Sequence, residues 1–206
     1  VRRIVRDAER AGDIIGGIRR FLSRGGSHRA PAGVAEIVDD VVALAAPFAQ
    51  AIGVSVERRV ADDLPLLAVD RVQIQQVLLN LVTNGIEAMA AVDRNRRHLV
   101  VRAEAVESPR PVDGSDPGAA IVRLSVTDLG PGIEPDRLEQ VFDAFHTTKP
   151  GGMGMGLAIS RSIAEAHGGR LSVERSGPDG TCLVLSLPAV AGHADAGAAS
   201  ATGRSV

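Results

Sequence analysis

One stretch restricts the fold more than any other. Val122, Leu124 and Val126 alternate with polar residues, the pattern of a half-buried strand, and the strand runs into Asp128-Leu129-Gly130-Pro131-Gly132-Ile133. A second glycine cluster, Gly151-Gly152-Met153-Gly154-Met155-Gly156, then opens a segment of helical pattern from Leu157 to Ala164. An acid at a strand end followed by glycines lets the backbone turn sharply and admits a flat ligand closely. Glycines just before a helix bare its first amide donors, which suit phosphate. The two pieces together describe a site with a base at one end and a phosphate chain at the other.

The bulk numbers narrow the partners. A chain of 206 residues buries one good core with room for an appendage. A net charge of -2 gives no global attraction to nucleic acid or to an anionic membrane. The aromatics are four Phe with no Trp or Tyr, too few for a base-stacking surface, so nucleic acid and membrane contacts are not expected. The single cysteine, Cys182, lies in an apolar run and reads as a small core residue in a reducing compartment. No apolar run is long enough to span a bilayer and no signal-peptide pattern opens the chain, so a cytoplasmic segment is expected, with anchoring of a longer parent left open.

Residues 1–24 read as a helix whose Ile4, Ala8, Ala11, Ile15, Ile18 and Leu22 form a heptad seam that needs a partner helix. Its arginines read as a solvated face rather than a nucleic-acid contact. Residues 25–33 read as a linker. A second amphipathic helix is predicted over 34–52, with Pro47 kinking it or ending it early and Gly53 closing it. Strands follow around 54–60, 99–106, 119–127, 171–173 and 181–187, with a hairpin loop or insertion at 107–118. Between the glycine clusters, Leu138, Val141, Phe142 and Phe145 suggest a short helical piece resting on a surface as a lid, both phenylalanines anchoring it. The Ala/Gly/Ser-rich residues 189–206 carry too little apolar bulk to pack and read as a disordered tail.

Asp70 is placed to cap a long helix to about Ala91. At about 100° per residue, Gln73, Gln76, Asn80, Asn84 and Glu87 share one stripe, opposite Ile74, Leu78, Leu81, Val82 and Ile86. An ordinary exposed face carries Lys, Arg and Glu; this one carries carboxamides, whose oxygen ligates a hard cation without adding charge. Beside the glycine segments, the stripe reads as facing a ligand.

At these residues the chain resembles the ATP-binding catalytic domain of sensor histidine kinases, within the wider group of gyrase-type and chaperone ATPases. Gln76 to Met89 is similar to the family's asparagine box, Asp128 to Ile133 to its first glycine box, Val141 to Lys149 to its phenylalanine box, and Gly152 to Leu157 to its second glycine box. Gly180-Thr181 sits where the family has a last glycine motif. Four such segments in register over 34–188 are specific where any one is weak. The opening helix resembles the second helix of the kinase dimerisation and phosphotransfer hairpin.

The resemblance implies an α/β two-layer sandwich, a mixed sheet with three helices on one face, plus the N-terminal helix. It implies ATP and Mg²⁺ as ligands, bound by Asn84, Asp128, Gly130, Gly132, Ile133, Thr148, Lys149, Gly152, Met153, Gly154, Met155, Gly156, Leu157 and Thr181. Asp128 would accept from the adenine amine, and Asn84, supported by Asn80, would hold the metal. Asn80, Asn84 and Lys149 form the implied catalytic set. The implied partners are a response regulator receiver domain and, through the N-terminal helix, a second copy of the full-length protein.

Two departures matter. The phosphate-accepting histidine, which the family places on a helix before an acid, is missing: none of His28, His146, His167 and His193 has that context. The chain is therefore expected to bind ATP without phosphorylating itself, as the C-terminal part of a longer kinase. Gly85 also stands where the family usually has alanine, which loosens the helix by about 1 kcal/mol. The alternatives are an ATPase or protein-serine kinase of the same fold, or a non-catalytic nucleotide-sensing module. Asn80 stands where several hydrolytic or serine-directed relatives carry a glutamate base and cannot abstract a proton, which favours the histidine kinase reading.

Overall fold

A computed structural model describes residues 29–107, 120–147 and 154–190. The described elements are strand β1 (Ala30–Ala32), helix α1 (Val34–Ile52), strands β2 (Ser55–Val60) and β3 (Leu67–Val69), helix α2 (Arg71–Ala88), strands β4 (His98–Glu107) and β5 (Ala120–Thr127), helix α3 (Gly156–Ala166), and strands β6 (Arg170–Gly177) and β7 (Gly180–Pro188). Five strands form one mixed sheet in the order β2-β4-β5-β7-β6, with β2 parallel to β4 and the other pairs antiparallel. β4 and β5 are paired out to Glu107 and Ala120, as the hairpin reading expects.

The sheet is two-faced because its strands alternate. Leu99, Val101, Ala103, Val122, Leu124, Val126, Leu183, Leu185 and Leu187 are buried and join Ile37, Val38, Ile74, Leu78, Leu81 and Ile86 of the helices in one core. Arg102, Glu104, Arg123 and Glu174 alternate with them on the opposite face, linked by ion pairs. The helices therefore cover one face only, in the expected sandwich.

Helix α1 runs through Pro47 instead of stopping there. Proline removes the amide that would bond the carbonyl of Ala43, and both residues lie on the exposed side, where a carbonyl can turn toward solvent. Gly53, at φ 77°, then ends the helix, its amide reaching back to Gln50. Helix α2 starts as expected, with the Asp70 carboxylate accepting from the Gln73 amide at 3.2 Å.

The sequence reading missed a second sheet. β1 pairs antiparallel with β3, so residues 30–32, read as linker, are a strand. Three-residue strands are too short to show periodicity. Beyond Pro188, the amides of Ala189 and Val190 donate to the carbonyls of Ala120 and Leu66, each at 2.9 Å. The N-terminal helix and the tail from 191 onward lie outside the described residues.

One buried histidine ties the helical layer together. His167, after the end of α3, is 3% exposed. Its Nε2 accepts from the backbone amide of Asp70 at 3.1 Å, and its Nδ1 donates to the carbonyl of Ile163 at 2.8 Å. A ring that accepts at one nitrogen and donates at the other is neutral. The N-terminus of α2 is thus fixed to the C-terminus of α3, and the two helices run in opposite directions.

Candidate functional site

Asp128 follows the last residue of β5, where the sheet ends beneath α2. Its backbone amide donates to the carbonyl of Thr181 at 3.0 Å, and its Oδ1 accepts from the amide of Gly130 at 2.8 Å. The residue is buried. Burial pushes its carboxyl above the usual carboxylate range, and the amides of Gly130 and Thr181 pull part of the way back. A buried acceptor that keeps partners on one side is suited to selecting a donor on the other.

The loop after Asp128 is fastened to the β6–β7 hairpin. Gly132 has φ 81°, and a side-chain carbon there would sit 2.1 Å from the carbonyl oxygen of Gly177. Gly180 is just as tight: a side-chain carbon would lie 1.9 Å from the carbonyl oxygen of Asp128. The Ile133 amide donates to Ser176 Oγ at 2.7 Å, and Ser176 Oγ lies 3.2 Å from the hydroxyl of buried Thr181.

Helix α2 brings the carboxamides to the same place. Gly85 faces Asp128: its missing side-chain carbon would be 3.4 Å from Asp128 Cβ. The same carbon would meet Leu99 Cδ1 at 2.5 Å, so glycine here serves close packing over the strand. Asn84 precedes Gly85, and its Nδ2 donates to Asn80 Oδ1 at 3.4 Å, one turn earlier. Asn80 Nδ2 in turn donates to Ser160 Oγ on α3 at 3.0 Å. Gln73, at the far end of the stripe, is used structurally, donating to Asp70 Oδ2 at 3.2 Å.

The second glycine segment arrives from the other side. At Gly156 a side-chain carbon would stand 2.6 Å from Asn80 Oδ1, so the first turn of α3 lies directly against the carboxamides. That turn has no capping side chain at Met155 and no acid within it. Within that turn, no acidic side chain or side-chain cap offsets the leading amides and the positive end of the helix dipole. The structure gathers Asp128, Gly130, Gly132, Ile133 and Thr181 around the end of β5 and the β6–β7 hairpin, and sets Asn80 and Asn84, in the second half of α2, beside Gly156 at the start of α3; Gly154, Met155 and Leu157 adjoin Gly156 along the chain. Thr148, Lys149, Gly152 and Met153 lie outside the described residues.

Between the glycine segments the chain makes two 3₁₀ turns, Pro135–Arg137 and Gln140–Phe142. Phe142 packs on the core, with the Arg161 guanidinium 5.5 Å from its ring centre. Phe145 does not anchor anything: it is 76% exposed, held at φ 69°. Its amide donates to the carbonyl of Gly154 at 3.0 Å, joining the two flanks of the intervening loop. Sequence reasoning missed Ser160 and Ser176, since a lone serine in a helix or strand carries no periodic signal. Only Ser160's place one turn after Gly156 hints at its role.

A family model described as histidine kinase-, DNA gyrase B-, and HSP90-like ATPase matches residues 69–191, the span that holds all of these groups. The chain belongs to this ATPase family. Its relatives place it in the sensor histidine kinase branch, as the ATPase-type catalytic domain. It is 39% identical over 186 residues to the sensor histidine kinase TmoS of Ectopseudomonas mendocina, covering 90% of this chain and 18% of TmoS. It is 38% identical over 187 residues to the sensor protein FixL of Bradyrhizobium diazoefficiens, covering 91% of this chain and 34% of FixL. The chain thus spans about a third of FixL and under a fifth of TmoS. Full-length ShkA in complex with AMPPNP matches with a TM-score of 0.72 at 27% identity, over 90% of this chain and 36% of ShkA. The histidine kinase ThkA in complex with the response regulator TrrA matches with a TM-score of 0.69 at 25% identity, over 90% of this chain and 49% of ThkA.

Proposed function

We propose that this domain binds ATP with Mg²⁺ and supplies the γ-phosphoryl group to a histidine outside the chain, for relay to an aspartate of a response regulator. The observation that carries the proposal is the convergence of the Asp128 carboxylate and the Asn80–Asn84 pair across Gly85, with the first turn of α3 against Asn80. Asp128 accepts from the adenine amine; guanine presents a carbonyl there, and two acceptors repel. The first amides of α3 hold the phosphates. The family resemblance would add Gly152, Met153, Thr148 and Lys149, which lie outside the described residues, to the phosphate contacts.

The donor set fits Mg²⁺. Among the described residues no three of His, Cys, Asp and Glu gather into a cage. A magnesium ion held mainly by phosphates and water needs only one or two protein oxygens, and Asn84, backed by Asn80, offers a neutral one. The ion would neutralise charge on the phosphates as the terminal group leaves. Asn80 cannot act as a base, which suits transfer to a neutral imidazole, already a nucleophile, better than to water.

The relatives support the partners. ShkA was solved with AMPPNP and ThkA with TrrA, a response regulator. Residues 1–24 would be the second helix of a dimerising hairpin. Among the described residues no helix is long and apolar enough to cross a membrane.

The test is nucleotide binding by this chain, read by calorimetry and by thermal melting. ATP with Mg²⁺ should raise the melting temperature and GTP should not. No shift with Mg-ATP would reject the reading. Steady hydrolysis of ATP without an added acceptor would move it to the hydrolytic branch.

A further inference from the structure

Ser160 is polar and 2% exposed in the middle of α3, among residues that pack on the core. A hydroxyl buried so deeply costs stability unless it is bonded. Its partner is a side chain of another helix: it accepts from Asn80 Nδ2 at 3.0 Å. The two ends of a carboxamide differ, one nitrogen that donates and one oxygen that accepts. By taking the nitrogen of Asn80, Ser160 leaves the Asn80 oxygen toward Asn84, whose own nitrogen lies 3.4 Å from it. The Asn84 nitrogen is thereby engaged on the Asn80 side, which distinguishes the two ends of the Asn84 amide. Gly156 closes this arrangement, since any side chain there would strike Asn80 Oδ1 at 2.6 Å.

We infer that Ser160 is a positioning residue which, through Asn80, sets the amide of Asn84 with its oxygen directed to the nucleotide's metal ion. The inference rests on the nucleotide reading above and adds to it a residue that touches neither nucleotide nor metal. The serine acts from α3, the helix that follows the second glycine segment, so the element that meets the phosphates also sets the orientation of the metal-facing carboxamide. Groups that orient a ligand residue from behind commonly govern metal affinity more than fold.

The experiment measures ADP affinity of the full chain by calorimetry, once in EDTA and once across a Mg²⁺ titration, for wild type and Ser160→Ala. In wild type Mg²⁺ should tighten binding. In Ser160→Ala the EDTA affinity should be retained, while the Mg²⁺ concentration at half effect rises about 10-fold. Ser160→Cys, of similar size with a weaker acceptor, should fall between them and serves if the alanine variant melts too low to measure. In an Asn80→Ala background, Ser160→Ala should move the midpoint no further, because the link it acts through is already gone.

An unchanged midpoint in Ser160→Ala would overturn the inference. So would an equal loss of affinity with and without Mg²⁺, the mark of a purely structural serine, or a full additive effect in the Asn80→Ala background. Failure of wild type to bind ADP under either condition would instead sink the nucleotide reading, and this inference with it.

Discussion

The two ends of the site are built differently. At the Asp128 end, backbone meets backbone: Gly132 lies on Gly177, and Gly180 lies on Asp128, with less room than any side-chain carbon needs. At the Asn84 end, the polar contacts run from side chain to side chain, Asn84 to Asn80 to Ser160, and Gly156 approaches only the tip of Asn80, although Gly154 just before it lies against the backbone of His146. The first arrangement leaves little room to move, so under the proposed function base recognition would be built into the packing of the fold. The second is set by rotatable amides, so metal and phosphate recognition would be separable from stability. A rigid end for the invariant part of a nucleotide and an adjustable end for the part that reacts is a sensible division of the chain.

The largest expected effect tests the rigid end. Gly132→Ala would force a methyl into the Gly177 carbonyl and demand a left-handed backbone from alanine, at a cost of about 4 kcal/mol or more. A thermal melt without nucleotide reads it. A small drop there would show that the loop yields, and the contrast between the ends would be lost.

Asp128→Asn comes next and separates recognition from stability at that same end. Loss of a charged acceptor at the adenine amine should weaken ADP binding by about 1.5–3 kcal/mol. Stability should move the other way. Burial raises the folded carboxyl above its unfolded value, so its ionised form costs stability at neutral pH. That cost is relieved as pH falls through the folded pKa. The variant should therefore melt no lower than wild type at neutral pH, its advantage shrinking on acidification. Melting curves at several pH values read this, and a variant less stable at neutral pH would contradict it.

Gly156→Ala probes the adjustable end. Alanine is favoured over glycine in a helix by about 1 kcal/mol, and the new methyl meets only the tip of Asn80. The fold should hold its melting temperature while the Mg²⁺-dependent part of nucleotide affinity falls several-fold, about 1 kcal/mol. Comparison with Gly132→Ala sets the two ends side by side: the same added methyl should cost fold at one and metal response at the other.

Much of this division could be read in the letters, and the reason is physical. Asp128 with its glycines, and the carboxamides of α2, are defined by residue type at fixed spacing, which survives in a linear string. The long elements are equally legible, because α1, α2 and the core strands repeat their apolar residues over many positions. What escaped depends on contacts between distant parts. β1 and β3 pair over three residues each. His167 reads as an ordinary residue after a helix, and only the fold shows it bonded to the amide of Asp70. Ser160 and Ser176 are single hydroxyls whose meaning lies in what stands opposite. Pro47 shows the converse: a local rule allows either a kink or an early end, and the helix runs through it to Ile52, with Pro47 on the exposed side.

The smallest expected effect concerns the segment between the two ends. Arg161, exposed on α3, places its guanidinium 5.5 Å from the Phe142 ring centre and also pairs with Glu165 at 3.1 Å. Phe142 rests on the core, whereas Phe145, three residues on, points into solvent. The 3₁₀ segment is thus held to α3 through Phe142. An exposed cation–π contact is worth roughly 0.5–1 kcal/mol, and an exposed i,i+4 pair about 0.3–0.5 kcal/mol. Arg161→Ala should lower stability by less than about 1 kcal/mol, because the Phe142 ring keeps its apolar burial. Arg161→Lys keeps a cation but loses the flat guanidinium, and should recover only part of that loss. If Arg161→Ala instead cost as much as Gly132→Ala, the 3₁₀ segment would belong with the rigid end, and the site would have one adjustable wall fewer.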